Sequence, residues 1–430
     1  MGALNQIVAY GVQDTVLTAD PKVTFFQAVY KRHTNFAMEV IEQTINGTAA
    51  ANGRISTTIA RNGDLIGEMY MELTCKTVSD LVSGKQTTAV LDGVAWCAER
   101  AVSSIELTIG GQRVDKHYQR WWRLYAELYL SDTKKAAYGK MTSNPTGIAG
   151  NKVMLPLLFF FNRNPGLFLP LIALQYAEVR LDFDLSPEFD LYFSGVKVWG
   201  NYVFLDTQER YRFAQKGHEY LIEQVQHTGT DSIADASEKQ IRLSYNHPVK
   251  ELVWCCGTST LGKQLWDLTD KAATATKIFL TCDTSAPTTS NGLIPIPFAT
   301  GTPVMMNGAD GNTHQWCEDG ATDSTRSVGL VDQFRLVLNG QDRMKQQSGK
   351  YFNQVESMWR HSGSPYPGVY CYSFGLKPEE LQPTGTCNFS RIDNAQVAIT
   401  LKAASSLDMY AVNYNVLKIQ SGQGACAFAN

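Results

Sequence analysis

Short runs in which apolar and polar residues alternate set the character of this chain. Ile55-Ser-Thr-Thr-Ile59 and Val179-Arg-Leu-Asp-Phe-Asp-Leu185 keep a period of two, which puts one face of a strand in a core and the other toward water or a neighbour. Turn signals at Asn46-Gly47, Asn52-Gly53, Asn62-Gly63 and Gly110-Gly111 separate such runs, at the spacing of an all-β sandwich. One stretch changes period. From Lys116 to Lys135 the residues Tyr118, Trp121, Trp122, Tyr125, Leu128 and Tyr129 recur every three or four positions, which predicts a helix. Its aromatic stripe suits packing on the end of a sandwich better than a stacking platform for bases or sugars. The most apolar segment, Met154 to Tyr176, carries Asn162-Arg163-Asn164 in its middle and is punctuated by Pro156, Pro165 and Pro170. It reads as two buried strands joined by an Asn-Pro-Gly turn, not as a membrane span.

The pattern occurs twice. Ile41-Glu42-Gln43-Thr44 returns as Ile222-Glu223-Gln224-Val225, and Ile105-Glu-Leu-Thr-Ile-Gly-Gly-Gln112 as Phe334-Arg-Leu-Val-Leu-Asn-Gly-Gln341. Ala177-Glu-Val-Arg-Leu181 is echoed by Ala395-Gln-Val-Ala-Ile399, and Asn201-Tyr-Val-Phe-Leu205 by Asn413-Tyr-Asn-Val-Leu417. The order is the same in both halves, and the offset makes one large jump, from 181 to 229, between the first and second echoes. A duplicated domain with an insertion in the second copy accounts for this. The division that follows is an arm over 1–23, a first sandwich over 24–212, and a second over 213–430. The insertion falls at about 257–327, a stretch rich in Thr, Ala, Gly, Asp, Asn and Ser that reads as a long surface loop. The polar bridge Arg212 to His218 has no Pro or Ser run, so the two sandwiches are joined tightly and pack side by side.

A chain of 430 residues with 44% hydrophobic content can fill two cores. With 38 basic and 41 acidic residues, and no basic cluster longer than Lys31-Arg32-His33, it has no electrostatic pull toward nucleic acid. Nine scattered cysteines with no C-x-x-C spell neither a disulfide framework nor a zinc site, and reduced thiols fit best. The first 20 residues lack a secretory pattern.

Enzyme vocabulary is missing: no G-x-S-x-G, G-x-x-x-x-G-K-[ST], H-E-x-x-H or EF-hand loop is present. No catalytic, cofactor or metal residue is assigned. Asp182 and Asp184 share a strand face without a nearby histidine and read as solvated carboxylates. His247, before Pro248, reads as a turn residue. Two sequons, Asn46-Gly-Thr48 and Asn388-Phe-Ser390, sit in or beside repeated strands and are poor candidates for sugar.

Read together, Thr24-Phe-Phe-Gln-Ala-Val-Tyr-Lys-Arg-His-Thr-Asn-Phe36, Arg61-Asn-Gly-Asp-Leu-Ile66, Phe159-Phe-Phe-Asn-Arg-Asn-Pro-Gly166, Phe204-Leu-Asp-Thr-Gln-Glu-Arg210 and Gly385-Thr-Cys-Asn-Phe-Ser-Arg-Ile-Asp-Asn394 closely resemble the major capsid proteins of nucleocytoplasmic large DNA viruses, with chlorovirus and iridovirus members nearest. The resemblance implies a double jelly roll, two eight-stranded sandwiches in one chain with short loop helices. It also implies a homotrimer with a pseudo-hexagonal outline that tiles the outer capsid of an icosahedral virion assembled in the host cytoplasm. Neighbouring capsomers, minor capsid proteins beneath the shell and covalent glycans on outer loops are the implied partners, with no membrane insertion. Phe25, Phe26, Tyr30, Trp199 and Tyr202 are interface candidates, each weighed against core burial. A less abundant capsid paralogue, a spike or attachment protein, and a carbohydrate-binding double sandwich are the rival readings, the last requiring paired carboxylates in a cleft.

Overall fold

The structure, a computed structural model, describes residues 26, 28–31, 33–76, 96–144, 150–233, 238–257, 304–307, 313–316, 329–363, 365 and 368–428. The expected arm over 1–23 and nearly all of the expected loop over 257–327 lie outside the described residues. Two units are distinguished, Met1–Phe36 and Ala37–Asn430, and the fold below is that of the larger.

Sixteen principal strands form it. In the first half they are β1 (Phe36–Gln43), β2 (Arg54–Thr58), β3 (Leu65–Cys75), β4 (Val102–Ile109), β5 (Gln112–Tyr118), β6 (Lys152–Pro156), β7 (Val179–Leu185) and β8 (Phe193–Leu205). In the second half they are β9 (His218–Ile233), β10 (Lys239–Arg242), β11 (Pro248–Gly257), β12 (Val331–Leu338), β13 (Gln341–Asp342), β14 (Val369–Ser373), β15 (Ala395–Leu401) and β16 (Ser405–Gln420). One sheet of the first half runs β1-β8-β3-β6, and the facing sheet runs β2-β7-β4-β5. The second half repeats both orders eight strands later, as β9-β16-β11-β14 and β10-β15-β12-β13. This is a jelly roll made twice.

The repetition extends to irregularities. A register shift between Val102 and Ser104 on β4 recurs between Val331 and Gln333 on β12. β3 carries an extra residue opposite Gly200–Tyr202, as β11 does between Val249 and Glu251. Bulges persist because they aim the strand, so their recurrence marks matching positions. Both β4–β5 and β12–β13 turn through two residues of positive φ, Gly110 (58°) with Gly111 (82°), and Asn339 (50°) with Gly340 (78°). That conformation suits a two-residue hairpin and favours glycine and asparagine. The connection from β3 to β4 covers 76–101, whereas that from β11 to β12 covers 258–330. The longer one holds a described hairpin, Val304–Asn307 against Thr313–Trp316.

Strand pairing also corrects two of the echoes. Val102 faces Leu185 as Val331 faces Leu401, which puts Val179 at the place of Ala395. The echo beginning at Ala177 is therefore two residues out. Tyr202 and Asn413 take equivalent places, since each bonds the glutamine of the Ile-Glu-Gln repeat: Tyr202 Oη donates to Gln43 Oε1 at 2.8 Å, and Asn413 Nδ2 to Gln224 Oε1 at 3.3 Å. The echo beginning at Asn201 is one residue out.

The expected helix starts later and breaks. Lys116, His117 and Tyr118 finish β5, paired to β4 with His117 buried. α1 then covers Gln119–Tyr129, Leu130 is extended, and α2 covers Asp132–Thr142. The segment Met154 to Tyr176 is not two strands around a turn. β6 ends at Pro156, Phe160–Arg163 is helical, Pro165–Leu167 is a 3-10 turn, and only Leu169–Pro170 returns to the sheet. Proline at the head of the turn suits it, and Asn164 Oδ1 accepts from Gly166 N at 2.8 Å. The link between the sandwiches is α3 (Thr207–Gln215), which buries none of its residues.

Among the described residues two large apolar clusters dominate, beside a small one of Leu65, Phe168 and Val203. One lies inside the second sandwich and includes Trp254, Phe334, Phe352, Tyr370 and Met409. The other fills the first sandwich and continues into the outer face of the β9-β16-β11-β14 sheet, taking in Val253, Cys255, Val369, Cys371, Tyr410 and Val412. That sheet is covered on both faces. The seven described cysteines are free thiols, five of them buried.

Candidate functional site

The junction between the sandwiches gathers one of two groups of buried charge among the described residues, the other being Glu99, Arg100, Arg123 and Glu127 of the first half. Alternation along β11 and β16 sends Glu251, Asp408 and Tyr410 outward from the second sandwich, and α1 of the first covers them. Arg120 Nη1 lies 2.6 Å from Asp408 Oδ2, with His227 Nε2 3.4 Å from the other oxygen. Burial alone would raise the Asp408 carboxyl, but the His227 hydrogen bond and the Arg120 charge hold it below its ordinary value. Trp121 lies against Tyr410 with ring centres 5.7 Å apart.

A second charged group lies along the same seam. Glu223 of β9 meets Arg163 at 3.0 Å and Lys250 at 2.5 Å. Burial again pushes upward, yet Arg163 and Lys250 keep Glu223 below its usual range. Glu251 accepts from Tyr129 Oη and faces His361 Nε2 at 3.1 Å. Burial pulls the His361 imidazole down, and the neighbouring Glu251 carboxylate carries it well above its ordinary value. Backbone contacts complete the seam: Val225 N donates to Asp115 Oδ1 at 3.0 Å, and Cys426 N to Gln112 Oε1 at 3.1 Å. A Cβ on Gly363 would lie 2.6 Å from the Leu130 carbonyl, so chain segments there approach too closely for any side chain.

A hollow of about 440 Å³ opens on this seam, lined by Tyr125, Lys134, Arg163, Glu223, Lys250 and Glu379 among others. Arg163, Glu223 and Lys250 on its wall are paired with one another, and Glu379 faces His361. Among the described residues no group of three or more His, Cys, Asp or Glu side chains is gathered for a metal, and no helix is long and apolar enough to cross a membrane.

The outer face of the first sandwich presents a contrast. Trp199 of β8 pairs with Tyr70 of β3 as Tyr410 pairs with Val253, and Lys197 pairs with Glu72 as Asp408 pairs with Cys255. Trp199 is half-buried, its Nε1 3.0 Å from Glu72 and Lys197 Nζ 5.7 Å above its ring. Met38 and Val40 of β1 are 47% and 48% exposed. In the second sandwich, Met358 and Trp359 of α4 (Glu356–Arg360) and the nearby Leu376 are also exposed.

The interface candidates divide. Phe25 lies outside the described residues. Phe26 and Tyr30 are 99% and 91% exposed. Trp199 stands on the face just described. Tyr202 is a correction: it is wholly buried, its hydroxyl bonded to Gln43 and to the Ala60 carbonyl, so it closes the core of the first sandwich. Asp182 is also corrected, because it is buried against Arg180 at 2.7 Å and Arg54 at 3.4 Å, not solvated. Asp184 accepts from Ser104 at 2.8 Å. Both sequon asparagines are exposed, but Asn388 Oδ1 is engaged by Ser390 N at 3.0 Å. Arg120, Arg163, Glu251, His361, Asp408, Met358 and Trp359 were not singled out as site residues in the sequence. Glu223 alone carried a signal, within the repeated Ile-Glu-Gln.

Comparison with known proteins matches the same halves. A family described as major capsid protein N-terminus covers residues 24–206, and one described as large eukaryotic DNA virus major capsid protein covers 209–425. The chain is 39% identical to the major capsid protein of Paramecium bursaria Chlorella virus 1 and 36% identical to that of Phaeocystis pouchetii virus, in each case over the full length of both chains. It superposes on a chain of the PBCV-1 virus capsid with a TM-score of 0.74 at 35% identity, covering 95% of this chain and all of the other. The Faustovirus major capsid protein, 13% identical with a TM-score of 0.68, shares the fold.

Proposed function

The chain belongs to the major capsid protein family of large eukaryotic DNA viruses and is a structural protein of the virion shell; from that premise we propose that three copies close into a capsomer of pseudo-hexagonal outline. The observation that carries this reading is the same strand order met twice in one chain, joined through a continuous apolar and charged seam. Two like modules per chain, repeated by a threefold axis, give six nearly equivalent edges. Identical tiles can then cover a flat facet with few kinds of contact. The division proposed is an arm over 1–23, a first roll over 24–212 and a second over 213–430, with the insertion at about 257–327. Neighbouring capsomers at the edges, minor capsid proteins beneath and sugars on outward loops complete the proposed partners, and assembly takes place in the host cytoplasm.

Light scattering on the purified full chain tests the reading. The expected mass is three times the 47.7 kDa of the chain, and a monomer at every concentration overturns it. The 258–330 connection, far longer than its counterpart over 76–101, favours a second role in attachment. Particles lacking that segment would then assemble but fail to adsorb to host cells, and unchanged adsorption removes this role.

A further inference from the structure

From the internal repeat we infer that the exposed Met358–Trp359–Leu376 patch of one copy docks on the outer face of the β1-β8-β3-β6 sheet of the next, as α1 docks on the β9-β16-β11-β14 sheet within the chain. This rests on the capsomer reading above and deepens it by naming both halves of the contact. The occupant of the open face is a second copy of this chain.

α1 follows β5 and precedes β6; α4 follows β13 and precedes β14. The two helical segments hold the same position in their rolls. α1 delivers Arg120 and Trp121 to Asp408 and Tyr410 of the neighbouring roll. α4 differs in the described residues: Phe352 and Ser357 anchor its segment in their own roll, and His361 beyond it meets Tyr129, while Met358 is 79% and Trp359 65% exposed. Arg360 Nη1 donates to the Leu376 carbonyl at 3.1 Å, which ties that 65%-exposed leucine to the same patch. Isolated exposed apolar residues are ordinary, whereas a clustered Met, Trp and Leu marks an interaction surface.

The receiving face matches position for position. Cross-strand pairing puts Trp199 with Tyr70 where the covered sheet has Tyr410 with Val253, and Lys197 where it has Asp408. Glu42, the counterpart of Glu223 in the Ile-Glu-Gln repeat, is exposed and paired to Lys197 at 2.9 Å. Glu68 corresponds to Glu251 through the matched bulges and is exposed, bonded to Asn201 at 3.1 Å. Met38 and Val40 extend the face along the edge strand. A patch on one roll that fits a different face on the other is a head-to-tail contact, which closes a ring or runs on as a filament.

The test uses full-length chains carrying Trp359→Asp or Trp199→Asp, with Val40→Asp as the alternative on the sheet side should Trp199→Asp fail to fold. Circular dichroism verifies folding, and sedimentation velocity reads the assembly state. Each single variant is expected to weaken self-association by about 30-fold or more, the loss typical of a central aromatic anchor. Mixed together, the patch variant and the face variant retain one intact contact between them and should form a dimer with one chain of each, unable to close. If the parent is trimeric and either folded variant stays fully trimeric, the docking is overturned while the capsomer reading stands. If the mixture stays monomeric at the highest soluble concentration, the two surfaces are not opposite halves of one contact. A monomeric parent overturns both readings.

Discussion

The outer faces of the β9-β16-β11-β14 and β1-β8-β3-β6 sheets have the same strand order and carry matched bulges, yet one is buried against the other roll while the other, among the described residues, is open around Met38, Val40 and Lys197. On the covered face, charges are desolvated and answered one by one: Asp408 by Arg120 and His227, Glu223 by Arg163 and Lys250. On the open face, Lys197 pairs with Glu42, both about half exposed. Duplication supplied two equivalent surfaces, and among the described residues only one is covered by the other roll. The contrast teaches that equal folds hold unequal amounts of stabilisation, according to what lies above the sheet.

Matched substitutions break that contrast most sharply. Asp408→Ala strands Arg120 in a dry seam and is expected to cost about 3–5 kcal/mol, as the loss of one partner of a buried pair does. Lys197→Ala, at the matching place on the open face, should cost under about 1 kcal/mol. Urea unfolding of the monomeric chain separates them, and equal costs would erase the distinction. Gly363→Ala drives a methyl group against backbone carbonyls of α1 and should cost about 1–3 kcal/mol, read by thermal melting.

Acid sharpens the comparison further. Asp408 and Glu223 are held below their ordinary values in the folded chain, so the stability they supply is present above their unfolded values, near 4, and is lost as pH falls. His361 is raised, so its contribution is full below about 6.5 and is lost only as pH rises through its folded value. Melting temperature should therefore drop on acidification, and Asp408→Asn should flatten that drop. Lys197→Gln should leave it unaltered. The sequons give smaller effects than the buried pairs: Asn388→Ala removes a turn cap worth about 1 kcal/mol. Asn46→Gln should leave both stability and the intact mass of virion-derived chain unchanged apart from the substituted residue.

Strand alternation and Gly-containing turns made the sandwich class legible, and the Ile-Glu-Gln echo fell on the equivalent strands β1 and β9. The later echoes slipped by one or two residues because short apolar words recur in any strand, while hydrogen-bond register and bulges set the true correspondence. The aromatic spacing located α1 but not its start, since Tyr118 is as suitable in β5 as in a helix. The junction ion pairs were invisible because Arg120 and Asp408 are 288 positions apart and neither sits in a motif. Trp359 gave no signal either, since a helical segment as short as Glu356–Arg360 shows no periodicity. Tyr202 stood as an interface candidate weighed against core burial because a tyrosine on a strand beside a bulge can face either way, and the structure places it in the core.

The charged seam constrains more than stability. A greased contact between two sheets would let them slide and settle at a range of angles. Arg120 reaching Asp408, and Arg163 reaching Glu223, each admit only a narrow span of distances and directions. These pairs act as detents, holding the hinge between the modules at one setting. In the proposed tiling of a facet, that setting would decide whether small angular errors accumulate into curvature or the lattice stays flat.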